Sequence, residues 1–177
     1  GEAARQYFGC INFIVRANVR EDFSLDGRTR RPPRDRMNAL LSFLYAMLMN
    51  DCRSALESVG LDPQLGFLHA VRPGRAALAL DLMEEFRHQA DRLALTLVNR
   101  GQVQAGDFTL HEGGGVTLAE QARKAVVVAW QERKQEVLSH PLLEQPVAMG
   151  LLPQLQARFL ARTLRGDMEN YLPFLLR

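Results

Sequence analysis

Cysteine is scarce. Cys10 and Cys52 are the only two in 177 residues, and their separation fits no zinc-type spacing, so they read as reduced, cytosolic thiols. Aromatic residues make up 7% of the chain, while Leu, Ala and Val are plentiful and Ile and Thr are few. That balance disfavours an all-β fold and favours helices. No apolar run is long enough to cross a bilayer. The longest, residues 39–49, is broken by Ser42 and bounded by Asn38 and Asn50, and reads as a buried helix. No secretory pattern opens the chain, and no repeat or low-complexity tract is visible. Walker, His-Glu-x-x-His and Gly-x-Ser-x-Gly motifs are lacking, so the chemistries they signal have no anchor here.

What is present is a chain that is 47% apolar, enough to bury a core. Its length predicts one domain spanning 1–177. The net charge of +2 is less telling than its distribution. Arg28, Arg30, Arg31, Arg34 and Arg36 crowd a polar loop at about 20–35, where Gly27 and Pro32-Pro33 stop regular structure. That loop reads as a DNA-following element or as a solvated connection. The first residues are helix-like with no cap before them, which predicts that residues are missing upstream.

Asp35 is placed to cap a helix running to about 59, with Gly60 ending it. A connection at 61–75 precedes a helix at 76–99. Residues 108–118, interrupted by Gly113-Gly114-Gly115, suit a short hairpin or a loop. Thr117-Leu-Ala-Glu120 has the capping-box pattern, predicting a helix from there to about 138. Pro141 and Pro146 break the next stretch, and a last helix covers 154–164. The expectation is an all-α fold of about five helices with at most one short hairpin.

The chemistry concentrates in residues 69–87. Asp81, Glu84 and Glu85 share one side of an otherwise apolar helix at spacings of three and four, and His69 lies in the loop leading into it. Carboxylates within an apolar segment call for a neutralising partner. One imidazole with carboxylates is a mixed nitrogen and oxygen set that suits magnesium or manganese. Such an ion polarises phosphate and activates a hydroxyl. Arg72, Arg75 and Arg87 flank the set and suit a phosphate backbone. The plainer reading stays open: solvated acids on a helix edge, a surface histidine, ordinary exposed arginines. Tyr45 reads as a core or pocket-lining residue. His88, His111 and His140 show no partner pattern and read as structural or surface residues.

Asn38-Ala-Leu-Leu-Ser-Phe-Leu-Tyr45, Gly66-Phe-Leu-His69, Arg72-Pro-Gly-Arg75 and Leu80-Asp-Leu-Met-Glu-Glu-Phe-Arg87, taken in order, resemble the Cas-one (Cas1) endonuclease/integrase family of CRISPR adaptation. Arg31-Pro-Pro, Asn99-Arg-Gly-Gln102, Arg123-Lys-Ala125 and Leu164-Arg-Gly-Asp167 extend the likeness across the chain. The wording resembles most the branch found beside, or fused to, the Cas-four (Cas4) nuclease. Val71, where many relatives of that branch carry Asp, and Arg36, where Pro is common, depart from it.

The resemblance implies a helical catalytic domain, without the small N-terminal β domain of the family, as a fragment of a longer chain. It implies a metal site made by a Glu, a His and a second acid. The His falls on His69 and the second acid on Glu84, with Asp81 the neighbouring acid of the same motif. The first Glu belongs to a motif of which Gly1-Glu2-Ala3 matches only the part after that Glu, which places the ligand one residue before Gly1. Glu2 is no substitute, because one residue turns a helix by about 100°. The implied catalytic group is therefore His69, Glu84 and Asp81, with His69 and Glu84 on Mg2+ or Mn2+ and Arg72, Arg75 and Arg87 on DNA. The implied activity is insertion of spacer DNA into the CRISPR array by transesterification, in the prokaryotic cytoplasm. The implied partners are prespacer and repeat DNA, the small Cas-two (Cas2) protein, Cas4 and a second copy of the chain. Two other readings stand beside it: a non-catalytic helical module for DNA binding and dimerisation, and a helical scaffold unrelated to DNA.

Overall fold

The computed structural model describes residues 2–175. Among them are seven α-helices and two small antiparallel hairpins, an all-α fold with minor β decoration. Contacts divide the chain into two compact units. One is built from the described parts of residues 1–45 and 89–130, the other from those of 46–88 and 131–177.

The first unit holds α1 (Glu2–Ile14), α2 (Arg20–Phe23), the start of α3 (Arg36–Ser58), most of α5 (Arg87–Asn99) and most of α6 (Glu120–Gln135). Its core includes Phe8, Ile11, Leu40, Leu44, Leu97 and Val126. Strands β1 (Phe108–Leu110) and β2 (Val116–Leu118) form a hairpin, the first of the two alternatives for this stretch, with Phe108 opposite Leu118. Asp35 does cap α3, its Oδ1 accepting the Asn38 N–H at 2.7 Å.

The Arg-rich loop is tied down rather than free. The buried Asn38 takes the Arg28 guanidinium (2.6 Å) and the Thr29 N–H (3.1 Å) on its Oδ1. Arg28 also reaches Ser42 Oγ (3.0 Å) and lies 5.3 Å from the Tyr45 ring centroid, so its charge serves packing. The Pro33 carbonyl accepts the Val116 N–H at 2.9 Å. Arg30, Arg31 and Arg34 remain exposed.

The second unit holds the rest of α3, α4 (Ala77–Glu84), the end of α6, strands β3 (Val137–Ser139) and β4 (Pro146–Ala148), and α7 (Leu152–Leu164). Helix α4 packs on α7. The single helix expected over 76–99 is in fact two. Tight bonds from Glu85 N–H to Leu82 O (3.3 Å) and from Phe86 N–H to Met83 O (3.0 Å) close α4, and Phe86 is fully buried. No Gly or Pro marks this break, so tertiary contacts of Glu85 and Phe86 carry it.

Two further expectations fail. Thr117 does not cap α6; it lies in β2, where its hydroxyl meets His111 Nε2 at 2.8 Å, and α6 starts at Glu120. Residues 137–139 are not helix but pair with 146–148, Val137 opposite Ala148. Of the two readings of His140, structural or surface, the structural one holds: it is 2% exposed, and its Nδ1 accepts the N–H groups of Leu142 (3.2 Å) and Leu143 (3.3 Å).

Candidate functional site

The site is assembled by a loop that folds back on the helix it precedes. The Pro63 carbonyl accepts the N–H groups of Leu78 (2.8 Å) and Ala79 (3.2 Å), satisfying two of the free donors at the start of α4. This holds the loop close. Gly66 makes the approach possible: a Cβ there would lie 2.7 Å from Ala77 Cβ and 2.9 Å from Asp81 Oδ2. Only a residue without a side chain fits.

Past Gly66 the backbone wraps around one carboxylate. Asp81 Oδ2 accepts the N–H groups of Phe67 (2.6 Å) and Leu68 (2.9 Å). Asp81 Oδ1 accepts the His69 N–H (2.9 Å) and lies 2.6 Å from His69 Nδ1. Burial pushes the Asp81 carboxyl up, but the bonds from Leu68 N–H, the His69 ring, Phe67 N–H and His69 N–H outweigh it and hold it below its ordinary value. An ionised carboxylate only accepts, so Nδ1 carries the proton, and the ring atom left to take a lone-pair role is Nε2. A metal ion would bind that nitrogen.

Asp81 and Glu84 line one open cleft of about 610 Å3, together with Glu85 and His88. Tyr171, Pro173, Phe174 and Leu175 line it as well. Glu84 is paired with Arg87 (2.8 Å), so this arginine already serves a carboxylate. Arg72 and Arg75 stand at the two ends of a turn closed by Arg75 N–H to Arg72 O (3.0 Å). Pro73 sits second, and Gly74 third with φ +72°, a conformation that suits glycine. Among the described residues neither Arg72 nor Arg75 is in an ion pair. No three His, Cys, Asp or Glu side chains among the described residues are gathered to hold a metal ion.

Two clusters escape a reading of the sequence. In the first unit, the buried Asp91 accepts the hydroxyls of Tyr45 and of Tyr7, the latter at 2.5 Å. Tyr45 is thus a core residue, as expected, but one with a carboxylate partner. In the second unit, Glu85 accepts the Tyr171 hydroxyl, Gln156 Nε2 (3.0 Å) and the Phe174 N–H (2.7 Å). Burial, then Glu85, pushes the Tyr171 phenol well up. A polar Gln at a fully buried position of α7 is the one local signal that could have pointed there.

Known proteins show the family. Residues 1–132 match the model of the family described as CRISPR associated protein Cas1. The chain is 60% identical over 178 residues to CRISPR-associated endonuclease Cas1 1 of Moorella thermoacetica, covering 100% of this chain and 52% of that protein. It is 41% identical over 180 residues to a CRISPR-associated exonuclease Cas4/endonuclease Cas1 fusion of Geobacter sulfurreducens, covering 100% of this chain and 32% of the fusion. Among solved structures, a casposase bound to integration product superposes with a TM-score of 0.85 at 26% identity, covering 94% of this chain and 46% of that one. A chain of a Cas6-RT-Cas1–Cas2 complex gives 0.84 at 29%, covering 100% and 19%. The chain spans about half the length of the Moorella relative. Residues 69–87, first read as a loop histidine before an acidic helix edge, are thereby placed in a known lineage: the chain belongs to the Cas1 family.

Proposed function

We propose that this chain carries the catalytic helical part of a metal-dependent DNA endonuclease/integrase that inserts spacer DNA into a CRISPR array. The observation that carries the reading is the His69–Asp81 pair at 2.6 Å, with Glu84 on the same cleft as Asp81. His69 Nε2 and the Glu84 carboxylate are a nitrogen and an oxygen donor, a set that fits Mg2+ or Mn2+, the imidazole favouring manganese. When bound there, such an ion would supply positive charge to a phosphate group.

Asp81 acts through His69. It keeps the Nδ1 proton in place and the ring oriented, as carboxylate partners of metal-binding histidines do. Arg72 and Arg75 hold the DNA backbone as phosphate contacts; Arg87 fixes the Glu84 carboxylate and adds positive charge. In the reaction the 3′-oxygen of the incoming strand bonds to phosphorus of the repeat. The bond from that phosphorus to the repeat's own 3′-oxygen breaks, and this oxygen leaves as a hydroxyl.

The same reading assigns prespacer and repeat DNA, Cas2 and a second copy of the chain as partners, with Cas4 acting beside it. The casposase and Cas6-RT-Cas1–Cas2 likenesses support DNA integration and Cas2 assembly, and the fusion relative supports Cas4. No helix among the described residues is long and apolar enough to cross a membrane, and a cytoplasmic place accords with the reading.

The test is manganese-dependent nicking of branched DNA by a chain extended upstream of Gly1 to include the family's Glu. Nicking should appear and fall at least about a hundredfold in His69→Ala, the scale of damage to a metal site. An inactive extended chain, or one indifferent to His69→Ala, returns the chain to the role of a non-catalytic DNA-binding and dimerisation module.

A further inference from the structure

We infer that Glu85, the acid next to the proposed ligand Glu84, is a positioning residue that straps residues 171–174 in place as part of the cleft lining against which a DNA strand lies. The inference rests on the proposed DNA reading and adds a role to a side chain that this reading leaves idle.

Glu85 aims its carboxylate away from a metal role, because three donors already occupy it. Tyr171 O–H is on Oε1, and Gln156 Nε2 (3.0 Å) and Phe174 N–H (2.7 Å) are on Oε2. Gln156 is fully buried and doubles the tie, lying 3.0 Å from both the Tyr171 hydroxyl and the Leu172 carbonyl. Phe174 is 3% exposed, its ring 5.6 Å from that of Phe86. The strap has no helix or strand of its own. A segment without a hydrogen-bond ladder keeps its place only through such anchors.

The consequence lies in the cleft. Tyr171, Pro173, Phe174 and Leu175 line the same cleft as Asp81 and Glu84. Release of the strap would take residues 171–175 out of that lining while leaving the His69–Asp81 pair intact, since no atom of the pair touches Glu85, Gln156 or Tyr171 in its hydrogen bonding. Glu85 should therefore govern how DNA is held, not how the ion is held.

The experiment compares Glu85→Gln and Tyr171→Phe with the unaltered protein, in the chain extended upstream of Gly1. Three quantities are read: hydrogen exchange at the Phe174 amide, Mn2+ affinity by calorimetry, and KM against kcat for DNA nicking. Glu85→Gln should speed Phe174 exchange at least about tenfold, the scale of one charge-assisted hydrogen bond. It should raise KM for DNA severalfold with kcat and Mn2+ affinity little changed. Tyr171→Phe should do the same more weakly, and it answers the question if Glu85→Gln does not fold. Unchanged Phe174 exchange overturns the strap. Lost Mn2+ affinity makes Glu85 a ligand and overturns the positioning role. Faster exchange with unchanged KM makes the strap purely structural and also overturns it. If the unaltered protein fails to nick any DNA, the enzyme reading fails by itself, while DNA affinity measured by titration takes the place of KM and still decides the strap.

Discussion

His69 Nδ1 lies 2.6 Å from Asp81 Oδ1, and the same oxygen receives the His69 backbone N–H at 2.9 Å. One carboxylate therefore sets both the path of the loop and the orientation of the ring. The loop histidine is not a free surface residue: its position is written into helix α4, one turn before Glu84.

Replacing Asp81 should cost more than a single contact. Asp81→Asn keeps the shape but turns one acceptor oxygen into a donor facing N–H groups. A loss of about 2–3 kcal/mol is expected from one broken charge-assisted bond and an unsatisfied donor. Urea unfolding would show it, and a change below about 0.5 kcal/mol would mean that the carboxylate does not organise the loop.

Acid should weaken the protein through the same group. The folded-state Asp81 carboxyl sits below its ordinary value, so ionisation favours the folded state. The contribution is complete above the unfolded value of about 3.9 and is lost as pH falls through the lower folded value. Urea midpoints taken from pH 7 down to pH 3 should drop less steeply at the acid end for Asp81→Asn than for the unaltered chain. Equal acid slopes would remove Asp81 from the acid response.

Gly66→Ala tests the close approach that lets the loop reach Asp81. The added Cβ would meet Ala77 Cβ at 2.7 Å and the Ala77 carbonyl carbon at 2.8 Å. Neither is the end of a flexible side chain, so the loop must move, at a cost of about 1–3 kcal/mol. A melting curve shows the loss, and the His69 ring resonances should shift with it. An unchanged melting temperature would show that the loop stands further from α4.

Arg72 and Arg75 should read out in salt. If each meets one phosphate, replacing either by Ala lowers the slope of log affinity against log salt by about 0.9 and weakens all sequences alike. Titration of duplex DNA between about 50 and 200 mM salt decides it. Arg87→Ala, by contrast, should disturb Glu84, with which it is paired, more than it changes the slope. An unchanged slope for both Arg72→Ala and Arg75→Ala would place the DNA elsewhere.

Residue order alone determined the helical class and the helix that begins after Asp35, left residues 108–118 open between a hairpin and a loop, and offered His69 and the acids that follow it as one candidate site. These rest on local rules: apolar periodicity, a cap within three residues, glycine between short strands, and motif order. The break between α4 and α5, the β3–β4 hairpin, the Asp91 cluster and the Glu85 strap were decided by the tertiary structure. Each depends on partners far apart in sequence, Glu85 with Tyr171 and Phe174, Asp91 with Tyr7 and Tyr45. The Thr117 pattern failed for the same reason: a local capping signal lost to the pairing of Thr117 with Thr109 across the hairpin. Asp81 shows the division most clearly. Sequence spacing places it beside Glu84, on the same side of a helix, as a second acid of equal standing. Only the folded loop, by aiming three N–H groups and an imidazole at its carboxylate, makes it the residue that orients His69.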